Sequence, residues 1–100
     1  MQIPGRLPEG REIAKTRPCV VISVSALNRA RSTVIMAPLT SNGRSAPPLA
    51  ISLPSAGKNT VVVCDQIFAV DKRRIRNKVG VLSQQDLAAL EESLRIVLGL

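Results

Sequence analysis

The chain contains no histidine, tryptophan or tyrosine, and its only aromatic residue is Phe68. Without histidine, neither a histidine general base nor a histidine-ligated zinc site is available. A single phenylalanine also excludes a platform of several aromatic rings, on which many proteins stack single-stranded bases. Any recognition of nucleic acid must therefore rely on arginines, backbone groups and shape.

Cysteine and long apolar runs are also scarce. The two cysteines, Cys19 and Cys64, lie inside apolar segments and lack the spacing of metal ligands, so we expect small core residues and neither a metal nor a cofactor. No apolar run approaches the roughly 20 residues of a membrane span, and no signal-peptide pattern opens the sequence. The sequence therefore predicts a soluble cytoplasmic protein that does not bind membranes.

Basic residues are abundant, with 14 Lys and Arg against 7 Asp and Glu, which gives a formal net charge of +7. This balance favours a polyanionic partner, either nucleic acid or an acidic protein segment. The length of 100 residues predicts one domain over residues 1–100. Because so small a domain has a thin core, a partner chain could add to it.

The hydrophobic pattern predicts several strands followed by one C-terminal helix. "LNRARS" and "PSAGKN" are typical of turns, and "TSNGRSAPP" of a long loop. "SQQDLAALEESLRIVLGL" has helical spacing, with Ser83 and Asp86 as its capping pair. The expected strands are "CVVISV" (19–24), "TVIMAPL" (33–39), "LAISL" (49–53), "TVVVCDQIFAV" (60–70) and "VGVL" (79–82).

Four segments in this order resemble the MazF/PemK/Kid family of endoribonuclease toxins from bacterial toxin–antitoxin pairs. The segments are "GREIAKTRPCVVIS", "TVIMAPLTS", "VVVCDQIFAVDKRRI" and "VGVLSQQDLAAL". The resemblance implies a mainly β fold with a C-terminal helix, an SH3-like small barrel of the CcdB/MazF/Kid type that forms a homodimer. The segment "MQIPGRLPEG" departs from the family, because it has two prolines, no apolar run and none of the family's first strand. Residues 1–9 are therefore expected to be a divergent segment.

The resemblance implies a sequence-selective, metal-independent endoribonuclease that leaves 2′,3′-cyclic phosphate and 5′-hydroxyl ends on single-stranded mRNA. It also implies a cognate acidic antitoxin, with operator DNA bound only through the antitoxin complex. Cleavage by the ribose 2′-hydroxyl needs a proton acceptor, a proton donor and hydrogen-bond donors for the phosphate. Three residues match family positions suited to these tasks, and they are the candidate catalytic residues: Glu12, Arg17 and Thr40.

Each catalytic candidate has a role and an ordinary structural alternative. Arg17 directly precedes Pro18 and would stabilise the phosphate, because its guanidinium stays protonated and presents several donors. The alternative is an arginine that is solvated at the entrance of a strand. Thr40 could donate a hydrogen bond to the phosphate, although threonine is also a common turn residue. Glu12 could orient Arg17 or accept the 2′-hydroxyl proton, and the alternative is a solvated loop carboxylate.

Further polar residues are candidate RNA contacts. Asp65 and Gln66 interrupt the most apolar strand and must find hydrogen bonds or face solvent. Arg44 lies in the long loop, and mobile loops commonly set specificity. The basic stretch after the fourth strand is either a phosphate track, an antitoxin surface or a solvated loop. The predicted RNA-binding residues are Ser41, Arg44, Asp65, Gln66, Lys72, Arg73 and Arg74, and Arg76 and Lys78 continue the basic stretch.

Two other functions stay open on the sequence. The first is a shortened, non-catalytic family member that binds antitoxin, RNA or an operator complex, which the missing first strand favours. The second is a basic nucleic-acid-binding barrel of unrelated function, which explains the charge but not the four ordered segments. Cleavage in the presence of EDTA would separate the enzyme from both.

Overall fold

The computed structural model of the protein describes residues 9–13 and 18–100, except for the side chains of residues 9–13 and 76–78. More of the described chain lies in strands than in helices, and one long helix lies at its C-terminal end. Neither described helix is long and apolar enough to cross a membrane. The elements are β1 (Glu9–Ile13), β2 (Pro18–Val21), α1 (Ser25–Ala30), β3 (Thr33–Ser41), β4 (Ala50–Ser52), β5 (Thr60–Val63), β6 (Phe68–Asp71), β7 (Ile75–Val81) and α2 (Gln84–Leu98).

The antiparallel sheet is organised around β3, the longest strand. One edge of β3 pairs with β2, and the order along the sheet is β4-β5-β3-β2-β1-β7. The other edge of β3 is shared, because Thr33–Met36 pair with β6 whereas Leu39–Ser41 pair with β5. The run 60–70, predicted as one strand, is therefore two strands, and the polar Asp65-Gln66 pair lies in the connection between them.

A strand precedes Pro18, in a part of the chain where the sequence pattern indicates none. β1 lies between β2 and β7 and pairs with both, opposite Pro18–Val20 on one side and Ile75–Val81 on the other. The segment "EGREI" has no apolar run. It still forms a strand, because its backbone pairs with a neighbouring strand on each edge. β1 also covers the edge of β2 that the sequence left exposed. Of the expected divergent segment, residues 1–8 lie outside the described residues.

The buried side chains form two clusters on opposite faces of the sheet. β2 contributes to both, since Val20 lies in the cluster beneath α2 whereas Cys19 and Val21 lie in the other. Helix α2 packs on the larger cluster through Leu87, Leu90 and Leu94 at helical spacing. Leu90 has no exposed surface, and truncating a leucine in such a position typically costs about 2–5 kcal/mol. This packing fixes α2 on one face and confirms the predicted strands-plus-helix architecture.

A capping pair makes two reciprocal hydrogen bonds, and the start of α2 has only one of them. The backbone N–H of Asp86 donates to Ser83 Oγ at 3.1 Å, as in a normal N-cap. Asp86 does not reach back to Ser83 but accepts from the backbone N–H and the hydroxyl of Ser55, at 2.7 and 2.5 Å. Ser55 Oγ in turn accepts from the backbone N–H of Ser83 at 3.0 Å. Ser55 therefore ties the helix N-terminus to the Pro54–Ala56 turn.

The segment "LNRARS", predicted as a turn, contains most of the short helix α1. None of the residues of α1 is buried, so the sequence has no apolar face from which this helix could be predicted. Asn28 anchors it, because Asn28 Nδ2 donates to the backbone oxygen of Ser23 at 2.9 Å, and Ser23 Oγ donates to Asn28 Oδ1 at 2.5 Å. Ser23 Oγ also accepts from the backbone N–H of Ile35 at 3.0 Å, which joins α1 to β3.

Candidate functional site

The ends of three neighbouring strands meet around Thr40. Glu12 pairs with Pro18, and Cys19 pairs with Pro38. Extending the β2–β3 register by one residue places Pro18 at the level of Leu39, directly before Thr40. Arg17 and the side chain of Glu12 lie outside the described residues, but their chain neighbours converge on this strand end.

Thr40 and Ser41 occupy the last positions of β3, opposite Val61 and Thr60 of β5. Leu39 packs against the core beneath α2, so Thr40 belongs to the opposite face of the pleated strand. Both side chains are exposed, and neither forms a hydrogen bond to another described side chain. Thr40 and Ser41 therefore each expose a hydroxyl at this strand end, on opposite faces of the pleated strand.

The turn after Ser41 is fixed by its glycine. Asn42 and Asn59 both have left-handed φ angles, of 59° and 61°, and the backbone N–H of Gly43 donates to the oxygen of Asn59 at 3.3 Å. A Cβ on Gly43 would lie 2.4 Å from Cγ2 of the buried Val61, so the turn packs tightly on β5. The exposed Arg44 follows this anchored glycine and lies four residues from Thr40.

Asp65 and Gln66 lie beside the middle of β3, on the edge opposite β2. The pairs Leu39↔Val62 and Met36↔Phe68 place their connection next to Ala37 and Pro38, two to three residues from Thr40. Both side chains are exposed. Their polar groups therefore either bind solvent or are available to a ligand. The two residues lie nearer to the Thr40 end of β3 than to its Thr33 end.

The neighbouring Cys64 belongs to the core and not to the site chemistry. Its burial and, to a smaller extent, the negative charge of Asp65 raise the pKa of its thiol from 9.0 to about 11. The thiol therefore stays protonated at neutral pH, where the thiolate would be needed for nucleophilic attack. The prediction that Cys64 packs as a small core residue agrees with its complete burial, and Cys19 is also buried.

The basic residues Lys72, Arg73 and Arg74 lie at the other end of β3. Thr33 pairs with Asp71, and the three cations follow Asp71 in a short 3-10 turn. Thr33 and Thr40 are seven residues apart on one strand, which corresponds to roughly 23 Å of extended chain. The structure thus separates these cations from the candidate residues around Thr40, Ser41 and Asp65.

Within the basic turn, two of the cations already have protein partners. Arg73 pairs with Asp71, with 3.0 Å between Nη2 and Oδ2, and the hydrogen bonds from its side chain and backbone lower the pKa of Asp71 from 3.8 to about 2. The same pairing raises the pKa of Arg73. Lys72 Nζ donates to the backbone oxygen of Asn28 at 2.6 Å, and its backbone N–H donates to Ser32 at 2.9 Å. The side chain of Arg74 forms neither an ion pair nor a hydrogen bond with the described residues.

An apolar cavity of about 280 Å³ lies between the C-terminal end of α2 and the sheet. Among the described residues that line it, only Ser23, Glu91 and Arg95 are polar, so these residues do not form the converging polar groups of a reaction centre. In addition, no group of three or more His, Cys, Asp or Glu residues within the described ranges is placed to hold a metal ion. The strand ends around Thr40 are therefore the candidate functional site.

Comparison with known proteins identifies the fold and the family. A model of the PemK-like, MazF-like toxins of type II toxin–antitoxin systems matches residues 3–98. The endoribonuclease MazF of Staphylococcus epidermidis is 30% identical over 97 residues, which are 92% of this chain and 81% of that relative. The chain therefore belongs to the PemK-like, MazF-like toxin family, as the four segments indicated.

Solved structures agree with the architecture. An endoribonuclease from Mycobacterial species, solved in complex with its cognate antitoxin, matches with a TM-score of 0.83 at 20% identity, over 98% of this chain and 97% of that one. A MazE–MazF structure (Form-III) from Deinococcus radiodurans matches with a TM-score of 0.79 at 25% identity, over 97% of each chain. The fold is thus that of the MazF toxins, which confirms the predicted barrel class.

Proposed function

We propose that this chain is the toxin of a type II toxin–antitoxin pair and cleaves single-stranded mRNA at selected sequences without a metal ion. The observation that carries the proposal is the strand register around Thr40. It brings Pro18, which directly follows Arg17, and the backbone of Glu12 to the strand end at which Thr40 and Ser41 expose their hydroxyls. The similarity to an endoribonuclease over 92% of the chain supports the same reaction.

The reaction that these residues would support is transfer of the phosphodiester to the neighbouring ribose oxygen. The 2′-oxygen attacks phosphorus, the bond from phosphorus to the 5′-oxygen breaks, and a 2′,3′-cyclic phosphate and a 5′-hydroxyl result. Glu12 would accept the 2′-hydroxyl proton or orient Arg17, while Arg17 and Thr40 would donate hydrogen bonds to the phosphate oxygens. A proton must also reach the 5′-oxygen as it leaves.

Other residues are proposed to contact RNA around this centre. Arg44, Asp65 and Gln66 lie nearer to the Thr40 end of β3 than to its Thr33 end, and Ser41 directly follows Thr40. These four residues would contact nucleotides flanking the cleaved bond. Lys72, Arg73 and Arg74 would contact RNA phosphates at the other end of β3. The proposal also includes a homodimer, a cytoplasmic location, an acidic antitoxin as partner and operator DNA bound through the antitoxin complex.

The finding of β1 bears on the non-catalytic alternative. That alternative was favoured by the absence of a first strand, which would leave the β2 edge open and the core thin. Because β1 pairs with β2 and β7, the sheet around the candidate site is continuous. The enzyme is therefore the function that the geometry supports best.

The test is incubation of the protein with a long single-stranded RNA in EDTA, followed by mapping of the new 5′ ends. We expect discrete cuts whose 5′ ends carry hydroxyls, no cuts by Arg17→Ala, and unchanged cutting by Arg95→Ala, which removes an exposed arginine from α2. Circular dichroism and thermal unfolding of all three proteins show that each is folded. Intact RNA after incubation with the folded unmodified protein would refute the proposed activity.

A further inference from the structure

Helix α1 and the basic turn form one surface, which we call the basic surface: Arg29, Arg31, Lys72, Arg73 and Arg74. Two hydrogen bonds from Lys72 join the two segments, to the backbone oxygens of Asn28 and Ser32. All five basic side chains are exposed. Arg29 and Arg31 were not among the predicted RNA contacts, because "LNRARS" is too short to show a helical pattern.

The basic surface carries an excess of positive charge. Within residues 25–35 and 71–74 the only acidic residue is Asp71, so five cations against one carboxylate leave a formal charge of +4 out of the chain's +7. Asp71 is already bound by Arg73 through the backbone N–H, Nε and Nη2. The charges of Arg29, Arg31 and Arg74 are therefore available to an external anion.

The fold does not explain why α1 has this composition. The helix buries none of its residues, so its side chains contribute little to the core. A stable protein interface is centred on buried apolar or aromatic anchors, and the only large apolar side chain that α1 exposes is Leu27. Four of the five cations are arginines, whose planar donors suit phosphate oxygens. The surface thus fits a phosphate backbone better than a protein segment.

We propose that the basic surface is an RNA exosite, which holds phosphates of the substrate outside the segment that is cleaved. This inference rests on the proposed function. It places a part of the RNA that is not cleaved on a surface apart from the candidate reaction centre. Because roughly 23 Å of strand separates the surface from Thr40, only an RNA long enough to span both ends of β3 can use it. The surface exposes no aromatic ring among the described side chains, so the exosite contacts phosphates and carries no base preference.

The test variant is Arg29→Ala/Arg31→Ala, which leaves the three cations of the basic turn in place. The matched control, Lys58→Ala/Arg95→Ala, removes two exposed cations elsewhere. Binding of a long single-stranded RNA is measured over a series of salt concentrations, with Arg17→Ala added to every protein to prevent cleavage. Cleavage is measured separately with Arg17 intact, on the long RNA and on an oligonucleotide too short to reach from Thr40 to the basic surface.

We expect this double variant to bind long RNA about fivefold more weakly at low salt and to lose about 1.4 from the salt slope, as two lost contacts to a single strand imply. Its cleavage of the short oligonucleotide should stay within about twofold of the unmodified protein. Unchanged affinity and salt slope would overturn the exosite, and so would an equal loss of short-oligonucleotide cleavage. The binding measurement needs no catalysis, so it still tests the exosite if the protein proves to have no nuclease activity.

Discussion

The two ends of β3 present different chemistry on one strand. At the Thr40 end β3 itself presents the neutral hydroxyls of Thr40 and Ser41, with Arg44 and Asp65 nearby, and β5 pairs with the strand up to Ser41. At the Thr33 end cations predominate, and they are carried by α1, by Arg31 directly after it and by a 3-10 turn. Among the described side chains, the highest concentration of positive charge thus lies away from the candidate reaction centre. Net charge indicates that a polyanion binds, but it does not locate the chemistry.

The way each end is held explains this division. Electrostatic catalysis needs donors held within a fraction of an ångström, and Thr40 lies in a paired strand whose following turn packs on Val61. A contact to phosphates tolerates looser placement, because it depends on the charge of flexible side chains. The exposed α1 meets that weaker requirement. The comparison therefore predicts that substitutions at the Thr40 end change cleavage, whereas those at the basic end change binding.

The largest effect is expected for Thr40→Val, which removes the hydroxyl and keeps the shape. Cleavage of a short oligonucleotide should fall about 10²–10³-fold in kcat, as when one donor to a developing charge is lost. Thr33→Val is the matched control, because Thr33 is also exposed and lies on the same strand. It should leave kcat within about twofold. Full activity of Thr40→Val would remove Thr40 from the mechanism and with it the contrast between the two ends.

A smaller effect is expected for Gly43→Ala, which tests whether the Thr40 end depends on tight packing. The added Cβ would lie 2.4 Å from Cγ2 of Val61, opposite Thr40. Because Val61 is buried and its side chain is stiff, the turn must move, at a cost of about 1–3 kcal/mol in the free energy of unfolding. Denaturant unfolding measures this loss of stability. The rate of RNA cleavage should also fall, because the turn that follows Thr40 and Ser41 is displaced.

Gly80→Ala is the control for this substitution, since a Cβ there meets nothing within 4 Å. We expect its free energy of unfolding to change by less than about 0.5 kcal/mol. If Gly43→Ala were as stable as this control, the turn after Ser41 would not be held by Val61.

The sequence predicted the strands and the helix wherever apolar residues repeat with a clear period, as in β3 and α2. It missed β1 and α1, because neither carries an apolar face, and both depend on backbone pairing or on polar bonds such as those of Ser23 and Asn28. The candidate residues Thr40, Ser41, Asp65 and Gln66 were found from their positions in motifs. That Lys72–Arg74 lie far from Thr40 could not be predicted, because it follows from how β3 divides its pairing between β5 and β6.

The smallest effect concerns Asp71, which determines how much of the basic surface is already neutralised. The hydrogen bonds and charge of Arg73 hold its pKa at about 2 instead of 3.8, so the ionised carboxylate favours the folded state. This contribution is fully present above pH 3.8 and is lost as the pH falls from there through 2. Because the pair is exposed, it is expected to add little to stability, and the pKa itself is the sensitive measurement.

An NMR titration of the Asp71 carboxyl carbon should therefore give a midpoint near 2 in the unmodified protein. Arg73→Ala should raise it most of the way to 3.8, because the hydrogen bonds from Arg73 are the main cause of the low value, although the substitution keeps the backbone N–H. Arg74→Ala should raise it much less, since Arg74 acts only through its charge. A midpoint near 3.8 in the unmodified protein would mean that Arg73 is not paired in solution. Arg73 would then be available to RNA together with Arg29, Arg31 and Arg74, and the basic end would differ from the Thr40 end more than its ion pair indicates.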